Sequence, residues 1–408
     1  PAGYELADLE LGKRFVSDLL AGESVRIEGA APWLDQANLP QDPQAHLAIH
    51  VGSAERTPAA NELLIYPKTI SVTCKPGAQL AERVRTGLHE AGIAVQSLAC
   101  LLASDTQMAE ASLHEAALEL GVPLRFTSVT QDADIVINVA EQPLDLSQVG
   151  RVRGRLAVIG LGPGAAEFMV PAVKAELALC TDVLGYETYV RMAGPFRDDQ
   201  VQHCTDNREE MQRARHAFEL AAQGRSVVVV SSGDPGVFAM AAAVIEALHE
   251  SSDPAWHQVD LEILPGVSAS LATAAQAGAP LGHDFCVMSL SDNLKPWSII
   301  EKRLDLASQA DLALAFYNPI SRSRPWQLGR ALEIVALHRT PGTPVVLGRD
   351  IGRPGQTLRV TTLGQLTPEQ VDMRTMVLIG SSTTVTFPRA GGGEWVYTPR
   401  WYGEKPAT

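Results

Sequence analysis

Three short apolar runs, each emptying into a loop of glycine and proline, constrain the fold of this chain more than any other feature of it. Leu156-Ala157-Val158-Ile159 passes into Gly160-Leu161-Gly162-Pro163-Gly164, and Ser226-Val227-Val228-Val229-Val230 into Ser231-Ser232-Gly233-Asp234-Pro235-Gly236. A third run, over 259–264, ends in Pro265-Gly266-Val267-Ser268-Ala269-Ser270. An unbroken β-branched run is a strand buried on both faces, which is the habit of a parallel sheet. Loops of this kind at several strand ends of one sheet build a ligand crevice at its carboxyl edge. One such loop arises easily by chance; three do not.

The first loop, with Gly160, Gly162 and Ala165, satisfies the G-x-G-x-x-G/A pattern of a dinucleotide-binding turn. Local physics rejects that reading. Pro163 has no N–H to offer a pyrophosphate, and the next helix start is delayed to Pro171, too late to aim a helix N-terminus at the loop.

The chain has 408 residues, long for one core, so two or three domains are expected. No apolar stretch reaches the roughly 20 residues of a membrane helix. The chain opens on Pro1 with no basic-then-apolar leader, so it reads as a trimmed chain or a fragment without a signal peptide. Five cysteines, odd in number and never spaced C-x-x-C, point to reduced thiols in a cytoplasm, with no metal site and no disulfide framework. Of the net charge of −14, residues 1–150 carry −11, from nine basic and twenty acidic side chains. That acidity excludes nucleic acid and anionic membrane as partners, while the near-neutral remainder can still line a cleft with arginine.

Residues 1–60 read as a partial, irregular segment with a short helix at 12–20. Residues 61–150 read as a small α/β domain of alternating elements: strand 69–74, helix 78–90, strand 94–99, helix 108–120, strands 123–128 and 134–139. Further on, Asn207-Arg208-Glu209-Glu210 has the form of a capping box.

Gly160-Leu161-Gly162-Pro163-Gly164, Ser232-Gly233-Asp234-Pro235, Leu264-Pro265-Gly266-Val267-Ser268, Ala277-Gly278-Ala279-Pro280-Leu281 and Phe316-Tyr317-Asn318-Pro319 stand in the order and spacing of a known family. So does the closing Met376-Val377-Leu378-Ile379-Gly380. From about residue 155 to 389 the chain resembles the S-adenosylmethionine-dependent tetrapyrrole methyltransferases. Leu281-Gly282-His283-Asp284-Phe285, followed by Ser289 through Trp297, resembles the branch that methylates C(17) of precorrin-3B in cobalamin synthesis and contracts the macrocycle.

The resemblance implies an α/β fold with two methyltransferase domains, 154–280 and 281–389, and the active site in the cleft between them. The small α/β domain would precede them and a tail, 390–408, follow. It also implies a homodimer acting on a small tetrapyrrole, with contacts to other enzymes of the pathway as a further expectation. Carried over by position, the cofactor contacts are Pro163, Ser232, Gly233, Asp234, Val237, Ser268, Ala269, Asn318 and Gly380. Ser232 replaces the more usual glycine of the family's Gly-Gly-Asp-Pro.

An activated methyl donor and an electron-rich carbon need alignment more than acid–base help, and no Ser–His–Asp set or phosphate loop is evident. Ring contraction does need a proton removed from the C(20) hydroxyl, which makes His283, Asp284 and Asp292 the catalytic candidates. For His283 and Asp284 the competing role is a satisfied pair at a strand start. Lys295, Arg322, Arg324, Arg349 and Arg353 are candidates for the substrate's acetate and propionate groups, against the alternative of solvated surface charge.

Residues 61–127, most clearly Gly121-Val122-Pro123-Leu124-Arg125-Phe126, resemble the C-terminal region of cobalt-precorrin-5A hydrolases. That family's G-x-G-C is here Ser71-Val72-Thr73-Cys74, so an accessory domain is expected rather than a hydrolase. The alternatives are a bifunctional protein that also opens the precorrin lactone and a non-catalytic tetrapyrrole carrier.

Overall fold

The computed structural model describes residues 2–128, 132–206 and 209–402, and the chain divides into two compact units. The first comprises Pro1–Arg155 with Phe218–Arg225 and Ser251–Asp260; the second comprises Leu156–Ala217, Ser226–Glu250 and Leu261–Thr408. The capping box proposed at Asn207 lies outside the described residues.

Within the first unit, strands β1 (Tyr4–Leu6), β2 (Val25–Glu28), β3 (Leu47–Val51) and β4 (Glu62–Pro67) form a sheet ordered β1-β4-β3-β2. It is parallel across β2, β3 and β4. Residues 1–60 are therefore not irregular. Leu47, Ile49, Leu63 and Ile65 bury one face of this sheet against Phe15 of the helix Leu9–Leu20. The strands are so short, and so embedded in polar and proline-rich sequence, that their period hardly registers.

A second sheet, β5 (Ile70–Cys74), β6 (Leu98–Ser104), β7 (Leu124–Thr127) and β8 (Ile135–Val139), has the order β7-β6-β5-β8, with only β8 antiparallel. Helices Leu80–Glu90 and Ala111–Leu120 supply Leu80, Val84, Leu88, Leu113 and Ala116 to its core. The strand expected at 94–99 begins later: a 3₁₀ turn, Val95–Ser97, precedes β6. The central run 98–103 is apolar throughout, so alternation cannot fix where such a strand starts.

The second unit holds two five-stranded sheets. The first, β9 (Arg155–Gly160), β10 (Asp182–Tyr186), β11 (Val201–Thr205), β12 (Ser226–Ser231) and β13 (Asp260–Leu264), runs β11-β10-β12-β9-β13, and Val227 to Val230 are sealed from solvent as their composition predicts. After β14 (Gly278–Ala279), the second sheet comprises β15 (Phe285–Ser289), β16 (Ala313–Tyr317), β17 (Pro344–Arg349), β18 (Thr357–Thr362) and β19 (Thr375–Ile379), in the order β15-β16-β19-β17-β18. β15 and β16 are parallel, and β19 runs antiparallel to both β16 and β17. The carboxyl ends of β15, β16 and β17 therefore share one edge, and that of β19 lies on the opposite edge.

The helix Ala269–Ala277, which leaves the third glycine loop, packs Ala274 and Ala277 on Ala315, Val346 and Leu378 of the second sheet. Gly348 makes room for Thr273 of this helix, since a Cβ there would stand 2.6 Å from the Thr273 hydroxyl. Finally, β21 (Glu394–Tyr397) pairs with β14 on one side and with β20 (Val385–Pro388) on the other, and Val396 is buried, so the segment expected as a tail contributes a strand at Glu394–Tyr397.

Candidate active site

The three loops of the first sheet meet backbone to backbone. Gly162 and Gly233 exchange N–H···O bonds of 3.1 and 2.7 Å, and Leu161 N–H donates to Ser231 O at 2.9 Å. A Cβ on Gly160 would stand 2.5 Å from Gly233 O and 2.8 Å from Gly266 N, and one on Gly266 would collide with the carbonyls of Gly233 and Gly160. No side chain fits between these strand ends. Gly233 differs from its two neighbours. Its φ of +71° favours glycine, but a Cβ there would meet nothing closer than Ser268 Cα at 3.7 Å. A Cβ at Gly233 would make ordinary van der Waals contacts, where one at Gly160 or Gly266 would collide with backbone.

Asp234 fastens the junction. One carboxylate oxygen accepts from Gly236 N at 2.8 Å and the other from Gly266 N at 3.0 Å, so the side chain closes its own turn and ties the second loop to the third. Asp234 thus caps its own turn, and it does so in the same loops expected to hold the cofactor. Val237 N–H donates to Asp234 O at 3.2 Å, which winds the start of this loop and turns Phe238 outward with a φ of +54°.

The second sheet reaches this junction through two side chains. Arg353, in the β17–β18 connection, donates to Pro163 O at 2.9 Å through Nε and to Ser232 Oγ at 3.0 Å. Tyr317, at the end of β16, accepts from Ser270 N at 3.1 Å and donates to Ser270 Oγ at 3.2 Å, while its ring meets that of Phe238 edge-on at 5.4 Å. Ser268 shares a 3.1 Å hydrogen bond with Ser270 and, with Ala269, starts the helix Ala269–Ala277.

Along the carboxyl edge of the second sheet, Asn318 has a φ of +50° and donates Nδ2–H to Ser289 Oγ at 3.0 Å, joining the ends of β15 and β16. Asp292 follows Ser289 and accepts from Gln327 Nε2 at 3.2 Å. Burial lowers the pKa of the nearby Lys295 ammonium; Arg303 pushes the same way and Asp292 opposes. Arg324 is buried beneath Asn318, whereas Arg322 is exposed at the tip of the same loop. Arg349 is held by Asp372 at 2.8 Å and Asp350 at 3.0 Å, and the Asp372 hydrogen bond raises its pKa further.

The structure redistributes the expected roles. Pro163, Ser232, Gly233, Asp234, Val237, Ser268 and Ala269 gather at one junction, with Asn318, Asp292 and Lys295 on the carboxyl edge of the second sheet. Gly380 does not join them. It follows β19, whose antiparallel pairing places it at the opposite edge, where its N–H donates to Pro344 O. His283 and Asp284 precede β15 and lie at that far edge too. His283 Nδ1 accepts from Asp284 N at 2.8 Å, its ring stacks edge-on against Tyr402, and Asp284 is 84% exposed. They form a strand-start pair at the amino end of β15, away from the glycine junction. Arg349 and Arg353 are already engaged within the protein.

Tyr317, Phe238 and Gln327 adjoin the candidate site residues, and the sequence reading did not name them. Only the first had a signal, as the residue before Asn318 in Phe316-Tyr317-Asn318-Pro319. In the first unit, Cys74 is buried and its pKa is pushed up to about 11 by desolvation, with its thiol turned to Leu102 O. Such desolvation disfavours the thiolate form.

Residues 155–367 match the tetrapyrrole (corrin/porphyrin) methylases. The chain is 49% identical over 249 residues to a precorrin-3B C(17)-methyltransferase from Sinorhizobium sp., covering 61% of this chain and 97% of that enzyme. It is 47% identical over 255 residues to the cobalamin biosynthesis protein CobIJ of Mycobacterium bovis, covering 62% of this chain but only 49% of that protein, about half its length. The crystal structure of the methyltransferase CobJ superposes with a TM-score of 0.57 at 52% identity, covering 60% of this chain and all of that one. With the family match spanning over half of the sequence, the chain belongs to the tetrapyrrole methylases.

Proposed function

We propose that this chain is a precorrin-3B C(17)-methyltransferase, which transfers a methyl group from S-adenosylmethionine to C(17) of precorrin-3B and contracts the ring to precorrin-4. The observation that carries this is the match to nearly the whole length of the Sinorhizobium enzyme at 49% identity.

The glycine junction suits the donor: a rim lined by backbone, with no room for a side chain at Gly160 or Gly266. Pro163, Ser232, Gly233, Val237, Ser268, Ala269 and Asn318 would hold it, with Asp234 keeping the loops in place. When bound, S-adenosylmethionine supplies an already activated methyl group. The protein's work is then orientation and exclusion of water, for which a rim of fixed backbone groups suits better than a titrating side chain. Phe238 and Tyr317 offer an aromatic wall next to that rim. Asp292, oriented by Gln327, takes the C(20) hydroxyl proton during contraction, and Lys295 and Arg322 pair with substrate carboxylates. The domain within 61–150 is accessory, and the enzyme is a homodimer.

Incubation with precorrin-3B and S-adenosylmethionine, followed by mass spectrometry, tests the assignment. The expected product is heavier by one methylene with a changed absorbance spectrum; unchanged precorrin-3B, or methylation at another carbon, refutes it.

A further inference from the structure

Among the described residues, Arg324 is a buried cation without an anion. The residue keeps 8% of its surface, yet its guanidinium has only two long contacts: Asn318 O at 3.4 Å and the Met373 thioether at 3.9 Å. Its Nε has no hydrogen-bond partner. Among the described residues no carboxylate pairs with it, whereas Arg349 on the same edge is held by two. A charge withdrawn from water without a counter-ion is strongly unfavourable, and such a group marks a place where a partner of opposite sign arrives.

Its position suits that purpose. Arg324 closes a tight turn by exchanging backbone hydrogen bonds of 3.1 and 3.0 Å with Ser321, so the guanidinium is anchored beside Asn318 at the end of β16. What covers it is movable. Met373 is 47% exposed, and an unbranched thioether repacks at little cost.

We propose that Arg324 is the receptor for one acetate or propionate carboxylate of the tetrapyrrole, reached when Met373 swings aside; this rests on the methyltransferase assignment. A carboxylate would replace a distant carbonyl and a sulfur with charge-assisted, bidentate hydrogen bonds, and would fix the macrocycle's rotation relative to the methyl donor.

The test titrates the full chain with uroporphyrin III, a stable tetrapyrrole bearing acetate and propionate groups, by fluorescence. Arg324→Met and Arg324→Lys are compared with the parent, together with S-adenosylhomocysteine affinity and the unfolding midpoint. Arg324→Met is expected to weaken uroporphyrin binding ten-fold or more, leave S-adenosylhomocysteine affinity within two-fold, and raise the midpoint, because an apolar chain replaces an unpaired charge. Arg324→Lys should bind with intermediate affinity. Uroporphyrin affinity within two-fold of the parent overturns the proposal. So does a lowered midpoint with loss of both ligands, which makes the guanidinium structural. If the parent itself neither binds uroporphyrin nor methylates precorrin-3B, the enzymatic assignment fails, and the receptor role with it.

Discussion

The two carboxyl edges of the second unit are built from different materials. On the first sheet the surface is backbone: Gly160, Gly233 and Gly266 touch through main-chain atoms, and Asp234 serves the loops rather than the crevice. On the second it is side chain: Ser289, Asp292, Lys295, Asn318, Tyr317 and Arg324, with Asn318 tied to Ser289, Asp292 to Gln327 and Tyr317 to Ser270. A backbone rim can grip a ligand of fixed shape in one way only, and it tolerates almost no change. A rim of side chains can be retuned residue by residue, which suits a family whose members share a methyl donor and differ in which macrocycle carbon they methylate.

The largest effect should come from breaking the backbone rim. Gly233→Leu places a side chain against the backbone of Ser268 and Ala269 and forces a φ of +71° on a residue that pays about 1–2 kcal/mol for it. S-adenosylhomocysteine binding by calorimetry should vanish while the far-UV spectrum is retained. Unchanged affinity would remove this loop from the cofactor site. The second edge should yield in turnover instead. Asp292→Asn keeps the hydrogen bond geometry available to Gln327 but removes the proton acceptor, so turnover should fall by about 10²–10⁴-fold with cofactor affinity unchanged. Turnover within a few-fold of the parent would leave Asp292 a turn former.

Arg353 joins the two edges, so its loss should register on both. Arg353→Gln gives up the bonds to Pro163 O and Ser232 Oγ, each worth about 1 kcal/mol net, and cofactor affinity should fall about ten-fold. An effect confined to the unfolding midpoint, with affinity intact, would make it a structural strut. Lys295 should show a smaller, pH-dependent effect. Because burial lowers its pKa, the ammonium loses its proton at lower pH than an exposed lysine does. The pairing with substrate carboxylate is present below that pKa and lost as pH rises through it. KM for the tetrapyrrole should therefore climb on the alkaline side, and Lys295→Arg, which stays charged, should move that rise to higher pH. Identical profiles for the two proteins would exclude Lys295 from substrate binding.

The same contrast explains what could be read without a structure. Backbone sites require glycine and proline at fixed offsets, and those letters are visible: the loops at 160–164, 231–236 and 264–268 were legible, as was the rejection of a dinucleotide turn, since the helix does begin at Pro171. Side-chain sites depend on which end of a strand faces the crevice. Arg349 and Arg353 looked like free cations, yet each has internal partners supplied by residues 23 or more positions away. Gly380 was misplaced because sequence does not disclose that β19 runs against its neighbours. The sheet of β1 to β4 was hidden by strands of three to six residues.

The smallest expected effect is the sharpest check on this topology. His283 and Asp284 adjoin each other and stand beside a motif that resembles the C(17) branch, which on composition alone makes them the natural acid–base pair. The register of β15 with β16 says otherwise: Phe285 pairs with Ala313 and Ser289 with Tyr317, so it is the Ser289 end that stands beside Tyr317 and, through it, the glycine loops. Asp284 lies five residues upstream of Ser289, about 16 Å at the rise of a strand. Nothing in that distance relays a proton, because the intervening β15 residues are Phe285, Cys286, Val287 and Met288. His283→Ala and Asp284→Asn should each leave turnover within two-fold of the parent, with at most a small change in the unfolding midpoint from the lost contact with Tyr402. A hundred-fold loss in either variant, with the fold intact, would mean that chemistry occurs at the amino edge of the second sheet, and would overturn the placement of the site.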